Sequence, residues 1–213
     1  MQKVGILGSA VVGQTLAQGF KAHGYEVRIG SRSPAKLASF TESSGVPAGT
    51  LEAVAGWGDL LVLAVQGTGA EAALSLAGVD SHRGKIVIDT TNPITPDPPV
   101  DGVIKYFTGP NSSLLERLQA AFPDTRLVKA FNSVGSPRMV NPAYAGGRPT
   151  MFFCGNDAEA KARVADILKQ FGWDPVDMGT AVAARAIEPL CQLWCIPGFR
   201  ENHWTHALKL LWD

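Results

Sequence analysis

Cysteine is scarce, and charge of neither sign is in excess. Cys154, Cys191 and Cys195 are the 3 cysteines among 213 residues. They form no paired framework, which suits a reducing cytosol rather than export. Lys plus Arg and Asp plus Glu number 19 each, so the chain offers no broad basic surface to nucleic acid or to an anionic membrane. Any anion it binds is bound locally. Long apolar runs are missing as well. None nears the roughly 20 residues of a membrane span, and a strand-like run beginning at Gln2 or Lys3 leaves no room for a signal peptide. There is no internal repeat, and the proline-rich "TNPITPDPPVDG" (91–102) reads as a loop. These absences point to a soluble cytoplasmic protein with one ordinary core and room for a small appendage.

What is present is alternation. "KVGILG" (3–8) is a strand-like run, Val11 to about His23 has helical spacing, and "YEVRIG" (25–30) is a second strand. Pro34 to Ser43 reads as a helix with proline in its first turn, where a missing amide hydrogen costs little. "DLLVLAV" (59–65) and "GKIVIDTT" (84–91) are apolar enough for strands buried on both faces. "TRLVKAFN" (125–132), "TMFFCG" (150–155) and "DPVDMG" (174–179) supply three more, with amphipathic helices at 112–122 and 157–172. The expectation is an α/β protein, a doubly wound and mostly parallel sheet over residues 1–179. Residues 180–213 form a small helical appendage: "AVAARAIEPLCQLWCI" and "NHWTHALKLLW" read as two helices joined by "PGF".

The first strand runs into Gly8-Ser9-Ala10-Val11-Val12-Gly13. Such glycine spacing permits a tight strand-to-helix turn and close helix–sheet packing, and it suggests a dinucleotide whose pyrophosphate meets free helix amides. Ala10 stands where a glycine is usual. About 20 residues further on, many such sites place a carboxylate to hold the ribose hydroxyls. Here the carboxylate is lacking. Ser31, Arg32 and Lys36 stand there instead, and a hydroxyl, a guanidinium and an ammonium suit a 2′-phosphate. The residues therefore specify NADP over NAD.

"KVGILGSAVVGQTLAQGF", "RIGSRSPAK", "LVKAFNSVG", "FFCGNDAEAKARVADIL", "PVDMGTAVAARAIEPL" and "ALKLLW" together resemble the NADPH-dependent coenzyme F-420 reductase family. These are small deazaflavin oxidoreductases similar to the cytosolic domain of six-transmembrane metalloreductases. The resemblance implies a Rossmann domain whose NADP meets a deazaflavin or flavin in a cleft closed by the C-terminal segment. It implies a dinucleotide loop of Ser9, Ala10, Val11 and Val12, and a nicotinamide side lined by Val65, Gln66, Asn92, Pro93, Ala130 and Asn132. "AVQG" and "DTTNPI" are less apolar than in deazaflavin-using members, which leaves the acceptor open.

Hydride passage between two planar rings needs stacking and exclusion of water more than it needs an acid or base. No convincing proton-transfer residue stands at a strand end, so no catalytic side chain is assigned. An NADPH-dependent reductase of a small imine or carbonyl is the enzymatic alternative, and a non-catalytic NADP-binding redox sensor is another. Cys191 with Cys195 and His203 with His206 have spacings compatible with a metal site. The same spacings belong to ordinary helix faces, and no metal is assigned. Trp194, Phe199 and Trp204 suit either a wall for a planar acceptor or a core and dimer surface. The apolar C-terminal helices suggest a homodimer. Asp89 reads as a strand-end carboxylate bonded to loop amides, and Arg185 as a partner of Glu188 or of the sheet.

Overall fold

The computed structural model describes residues Met1–Asp213. In chain order the elements are β1 (Lys3–Leu7), α1 (Val11–Ala22), β2 (Glu26–Gly30), α2 (Ala38–Ser44), β3 (Ala48–Gly49), α3 (Leu51–Trp57) and β4 (Leu60–Leu63). Then come α4 (Ala70–Ala77), α5 (Val79–His82), β5 (Ile86–Asp89), α6 (Leu114–Ala121), β6 (Arg126–Lys129), β7 (Thr150–Gly155) and α7 (Ala158–Gln170). β8 (Asp174–Asp177), α8 (Ala184–Ile187) and α9 (Pro189–Glu201) complete the set. The 8 strands form one sheet in the order β3-β2-β1-β4-β5-β6-β7-β8. All neighbours are parallel except β6 and β7. This is the expected doubly wound α/β architecture.

Strand geometry sends alternate residues to opposite faces. Val4, Ile6, Leu60, Val62 and Ile88 join α1 and α7 in one core, with Phe20, Phe171 and Trp173 the large side chains there. Leu7, Leu61, Leu63 and Val87 join α3, α4, α6 and α8 in the other. Each fully buried leucine contributes on the order of 1.5–3 kcal/mol relative to exposure. Ala181, Ala184 and Ile187 belong to the second core, so the segment 181–187 packs onto the sheet. The order β2-β1-β4 marks the switch point, where the chain leaves β1 toward β2 and returns to the other side of β1 as β4. Ligands of such sheets bind in the crevice beyond the carboxyl ends at that point.

The C-terminal segment departs from the sequence reading. "PGF" is not a connection but lies within α9, which contains Pro197 and continues to Glu201. Proline there removes one helical hydrogen bond. Gly198 is needed for a different reason, because a Cβ on it would strike the Trp204 ring. Beyond Glu201 there is no second helix. Asn202 takes a left-handed conformation (φ 53) that ends α9, and the following chain has no regular secondary structure. Thr150 N donates to Leu208 O (2.8 Å) and Leu210 N to Thr150 Oγ1 (3.0 Å), while Trp194 Nε1 and Tyr144 OH both donate to His206 O. Tertiary partners for the backbone outweigh the helical spacing there. Shorter elements the reading passed over are β3, α3, α4 and α5, and Pro34–Leu37 is a 3-10 turn before α2.

Candidate active site at the carboxyl edge of the sheet

Gly8 has φ +135, and a Cβ there would strike the Ala64 carbonyl; one on Gly13 would strike the Gly8 carbonyl. These two glycines therefore set a turn no other residue fits. Ala10 is the N-cap of α1 and makes no side-chain capping bond. Thr50, Ser113 and Asp157 do cap α3, α6 and α7. The first amides of α1 are thus left to an external acceptor, and Ala10, an exposed residue, turns its methyl away from the packed interior.

A cavity of about 520 Å³ opens over the ends of β1 and β2, lined among others by Gly8, Ser9, Ala10, Ser31, Arg32 and Lys36. Ser9 Oγ donates to Ser31 Oγ (3.2 Å), and Ser33 N donates to Ser31 Oγ (3.1 Å), which fixes the hydroxyl at the tip of β2. Arg32 and Lys36 are exposed and neither enters an ion pair. By contrast Arg28, within β2 itself, stacks over Trp57 at 4.5 Å. Two cations beside a fixed hydroxyl, next to uncapped helix amides, fit a dinucleotide with an extra phosphate.

A second cavity, of about 550 Å³, continues from the first over the ends of β4 and β5. The two share Ala10, Ala64, Val65, Gln66 and Thr68. Thr90, Thr91, Asn92, Ile94, Thr95 and Pro96 complete its far wall. None of its 13 lining residues is titratable. Threonine hydroxyls and two carboxamides supply all its side-chain polarity.

The remaining anticipated residues lie off this surface. Val11 is exposed outside both linings, and Gly13 is packed against Gly8. Pro93 is buried behind Asn92, and Ala130 sits in the core with no exposure. Ala130 is therefore corrected to a packing residue: it is the first residue after β6, and its methyl faces the α1 and α7 side. Asn132 reaches the site only through Asn92. Asn92 Nδ2 donates to Asn132 O (2.8 Å), while Asn132 Nδ2 donates to Asn92 Oδ1 (3.1 Å) and Ile187 O (3.0 Å). Phe131 makes this possible by taking φ 62, a conformation costing about 1–2 kcal/mol for a non-glycine residue, offset by its burial. Cys191 and Cys195 lie 4.0 Å apart, but no group of three metal-ligating side chains forms anywhere. His206 instead stacks on Trp194, and Trp204 packs on Trp194 and Phe199.

Behind the cavity floor lies a group that spacing did not reveal. Lys129, with 0% side-chain exposure, places Nζ 2.7 Å from Asp89 Oδ2 and 3.1 Å from Glu188 Oε1, and donates to Thr91 O at 2.7 Å. Asp89 Oδ1 accepts from Thr91 N and Oγ1, and Glu188 accepts from Leu114 N and Leu115 N at the start of α6. Burial alone would lower the lysine pKa, but the two carboxylates outweigh it and hold Lys129 above its ordinary value. Arg185 pairs with Glu116 rather than Glu188, at 2.7 and 3.0 Å, and that guanidinium pulls the Glu116 carboxyl below its usual range. A charged residue inside an otherwise apolar strand, Lys129 in "RLVKAF", was the available signal. The loop carrying Ile94 to Pro96 is tied down in turn: Tyr106 OH donates to Glu188 O (2.7 Å), and Gln192 Nε2 donates to Ile104 O (2.8 Å).

Comparison with known proteins agrees with this geometry. Residues 3–93 match the family model "NADP oxidoreductase coenzyme F420-dependent". A solved structure of a candidate F420-dependent NADP-reductase from Arthrobacter sp. fb24 is 33% identical, covers 99% of each chain and superposes with a TM-score of 0.91. A hypothetical protein, SMa0349 from Sinorhizobium meliloti, is 27% identical over 100% of this chain and 97% of its own, with a TM-score of 0.77. Metalloreductase STEAP3 of Rattus norvegicus is 32% identical over 199 residues. That match takes in 92% of this chain and 38% of the rat protein, so the chain spans well under half the length of that curated relative. No helix is long and apolar enough to cross a membrane. With its sheet order, its phosphate-ready turn and full-length likeness to a solved relative, the chain belongs to the coenzyme F420-dependent NADP oxidoreductase family.

Proposed function

We propose that the enzyme passes a hydride between NADP(H) and a planar redox partner, a deazaflavin or a flavin, with the two rings meeting in the cavity over β4 and β5. The observation that carries this reading is the absence of any titratable group from that cavity's lining. Reduction of a carbonyl needs a donor for the developing alkoxide. Reduction of a flavin-type ring needs alignment and a dry contact, with its proton taken from solvent.

NADPH supplies the hydride and its electron pair when bound. Uncapped amides at Ala10 to Val12 would receive the pyrophosphate, and Ser31, Arg32 and Lys36 the 2′-phosphate. Val65 and Gln66 line both cavities and would hold the middle of the dinucleotide. Asn92, oriented by Asn132, presents a carboxamide on the nicotinamide side. Residues 180–213 close the cleft by holding the 92–107 loop through Glu188 and Gln192. Val182, Leu193, Phe199 and Trp212 leave apolar surface exposed on that segment, which supports a homodimer.

Anaerobic mixing of the enzyme and NADPH with riboflavin, FMN, deazaflavin or small ketones and imines tests the reading. NADPH oxidation stoichiometric with ring reduction is the expected result. Turnover of a ketone or imine with no ring reduced would refute it.

A further inference from the structure

A third cavity, of about 350 Å³, continues outward from the β4–β5 cavity and shares Gly67, Thr68, Thr95 and Pro96 with it. Its outer wall is Phe107, Leu114 and Arg117, with Glu71 also on its lining. Arg117 lies on the exposed side of α6, with its guanidinium carbon 5.5 Å from the centre of the Phe107 ring. Its sole polar protein contact is a long one, to Phe107 O at 3.5 Å. It makes no ion pair, although α6 also carries Glu116, which is fully engaged by Arg185.

An arginine stacked on an aromatic ring is held in place, yet keeps most of its donors unused. Its position matters more than its charge alone: it stands at the exit of a cavity that has no charge of its own. A ring seated over β4 and β5 can extend its substituent along the shared wall of Thr95 and Pro96, and the first cation it meets is Arg117. Glu71 disfavours a negative substituent less than Arg117 favours one, because a planar guanidinium binds phosphate or carboxylate through paired hydrogen bonds.

We propose that this third cavity is the subsite for an anionic tail on the acceptor, with Arg117 as the residue that selects phosphate- or carboxylate-bearing rings over neutral ones. The inference rests on the hydride-transfer reading above and names its substrate class. FMN and riboflavin carry the same ring and differ by the phosphate, so they are the probes. Quenching of flavin fluorescence on the NADP⁺-saturated protein should show FMN binding about tenfold or more tighter than riboflavin, the scale of one charge-assisted hydrogen bond. Arg117→Gln should bring that ratio close to one. Arg117→Lys should keep part of it, which a purely packing role for the side chain would not. Glu71→Gln should raise it, and Lys169→Gln, which removes an exposed cation from α7, should leave it unchanged. Equal binding of the two flavins, binding of neither, or an unchanged ratio in Arg117→Gln overturns the subsite. Turnover is read separately: flavin reduction without preference for FMN would sink the subsite and leave the hydride-transfer reading standing.

Discussion

Replacing Arg32 by alanine isolates the phosphate preference from everything else in the site. Arg32 lines the β1–β2 cavity beside Lys36 and the fixed Ser31 hydroxyl, with no carboxylate competing for it. Its removal therefore costs the bound phosphate a partner without leaving a buried carboxylate unpaired. A hydrogen bond to a charged group contributes about 1.5–3 kcal/mol, and each 1.4 kcal/mol is a factor of ten. Exposure of Arg32 to solvent pulls the value to the lower part of that range. The expected loss is about tenfold to thirtyfold in NADPH affinity, with NADH changed by less than about threefold. Lys36→Ala should lose less, since an ammonium makes single rather than paired contacts. Titration calorimetry with both nucleotides at two salt concentrations reads all of this. NADPH binding should weaken more steeply than NADH binding as salt rises. Equal losses for the two nucleotides, or a salt response common to both, would refute the assignment of Ser31, Arg32 and Lys36.

Lys129→Met leaves Asp89 and Glu188 buried without their cation, and should destabilise the fold by about 3–5 kcal/mol in chemical denaturation; adding Asp89→Asn and Glu188→Gln should restore much of it. His82 is buried and held by Thr125 Oγ1 and Leu74 O. Burial lowers its pKa, so the unfolded chain takes up the proton first, and stability present above about pH 6.5 should fall as the pH drops through the lowered folded value. His82→Gln should flatten that part of a Tm-versus-pH curve. Ser113→Ala removes the cap of α6, whose Oγ accepts from Glu116 N and donates to Glu116 Oε2, and should cost about 1 kcal/mol. Gly13→Val places a side chain against the Gly8 carbonyl; NADPH binding should be lost, and retention of wild-type affinity would contradict the close helix–sheet contact.

Most of the sheet was legible because its strands carry no ambiguity of period. "LLVL" and "IVID" are fully apolar over four residues apart from one terminal aspartate, as strands buried on both faces must be. The glycine turn and the Ser31, Arg32, Lys36 cluster were legible because both are local in sequence. Contacts formed by distant residues were not. Nothing near Lys129 announces Glu188, which lies 59 positions on, or the amides of Leu114 and Leu115 that complete the network. The irregular run after Asn202 was misread for the same reason: its hydrogen bonds to Thr150 and Tyr144 join residues some 60 positions apart. A periodic pattern reports which face is apolar, not whether another strand's backbone is waiting for it.

The buried ionic network also bears on why the cavity above it holds no acid. Lys129 is the nearest proton-bearing side chain behind the floor, and it donates to the Thr91 carbonyl beneath the lining. With Asp89 and Glu188 both holding its proton, releasing it would leave two carboxylates buried with no cation between them, a change that costs far more than a hydrogen bond supplies. The Thr91 hydroxyl is likewise committed to Asp89 at 2.6 Å. The charge behind the cavity floor is thus locked for structure. It joins the ends of β5 and β6 to the start of α6 and the junction of α8 with α9, and so anchors the end of β5, which leads into the Thr90 to Asn92 wall of the cavity. A floor fixed by such a network is rigid and carries no free acid, and those are the two demands that the proposed hydride transfer between planar partners would make of it.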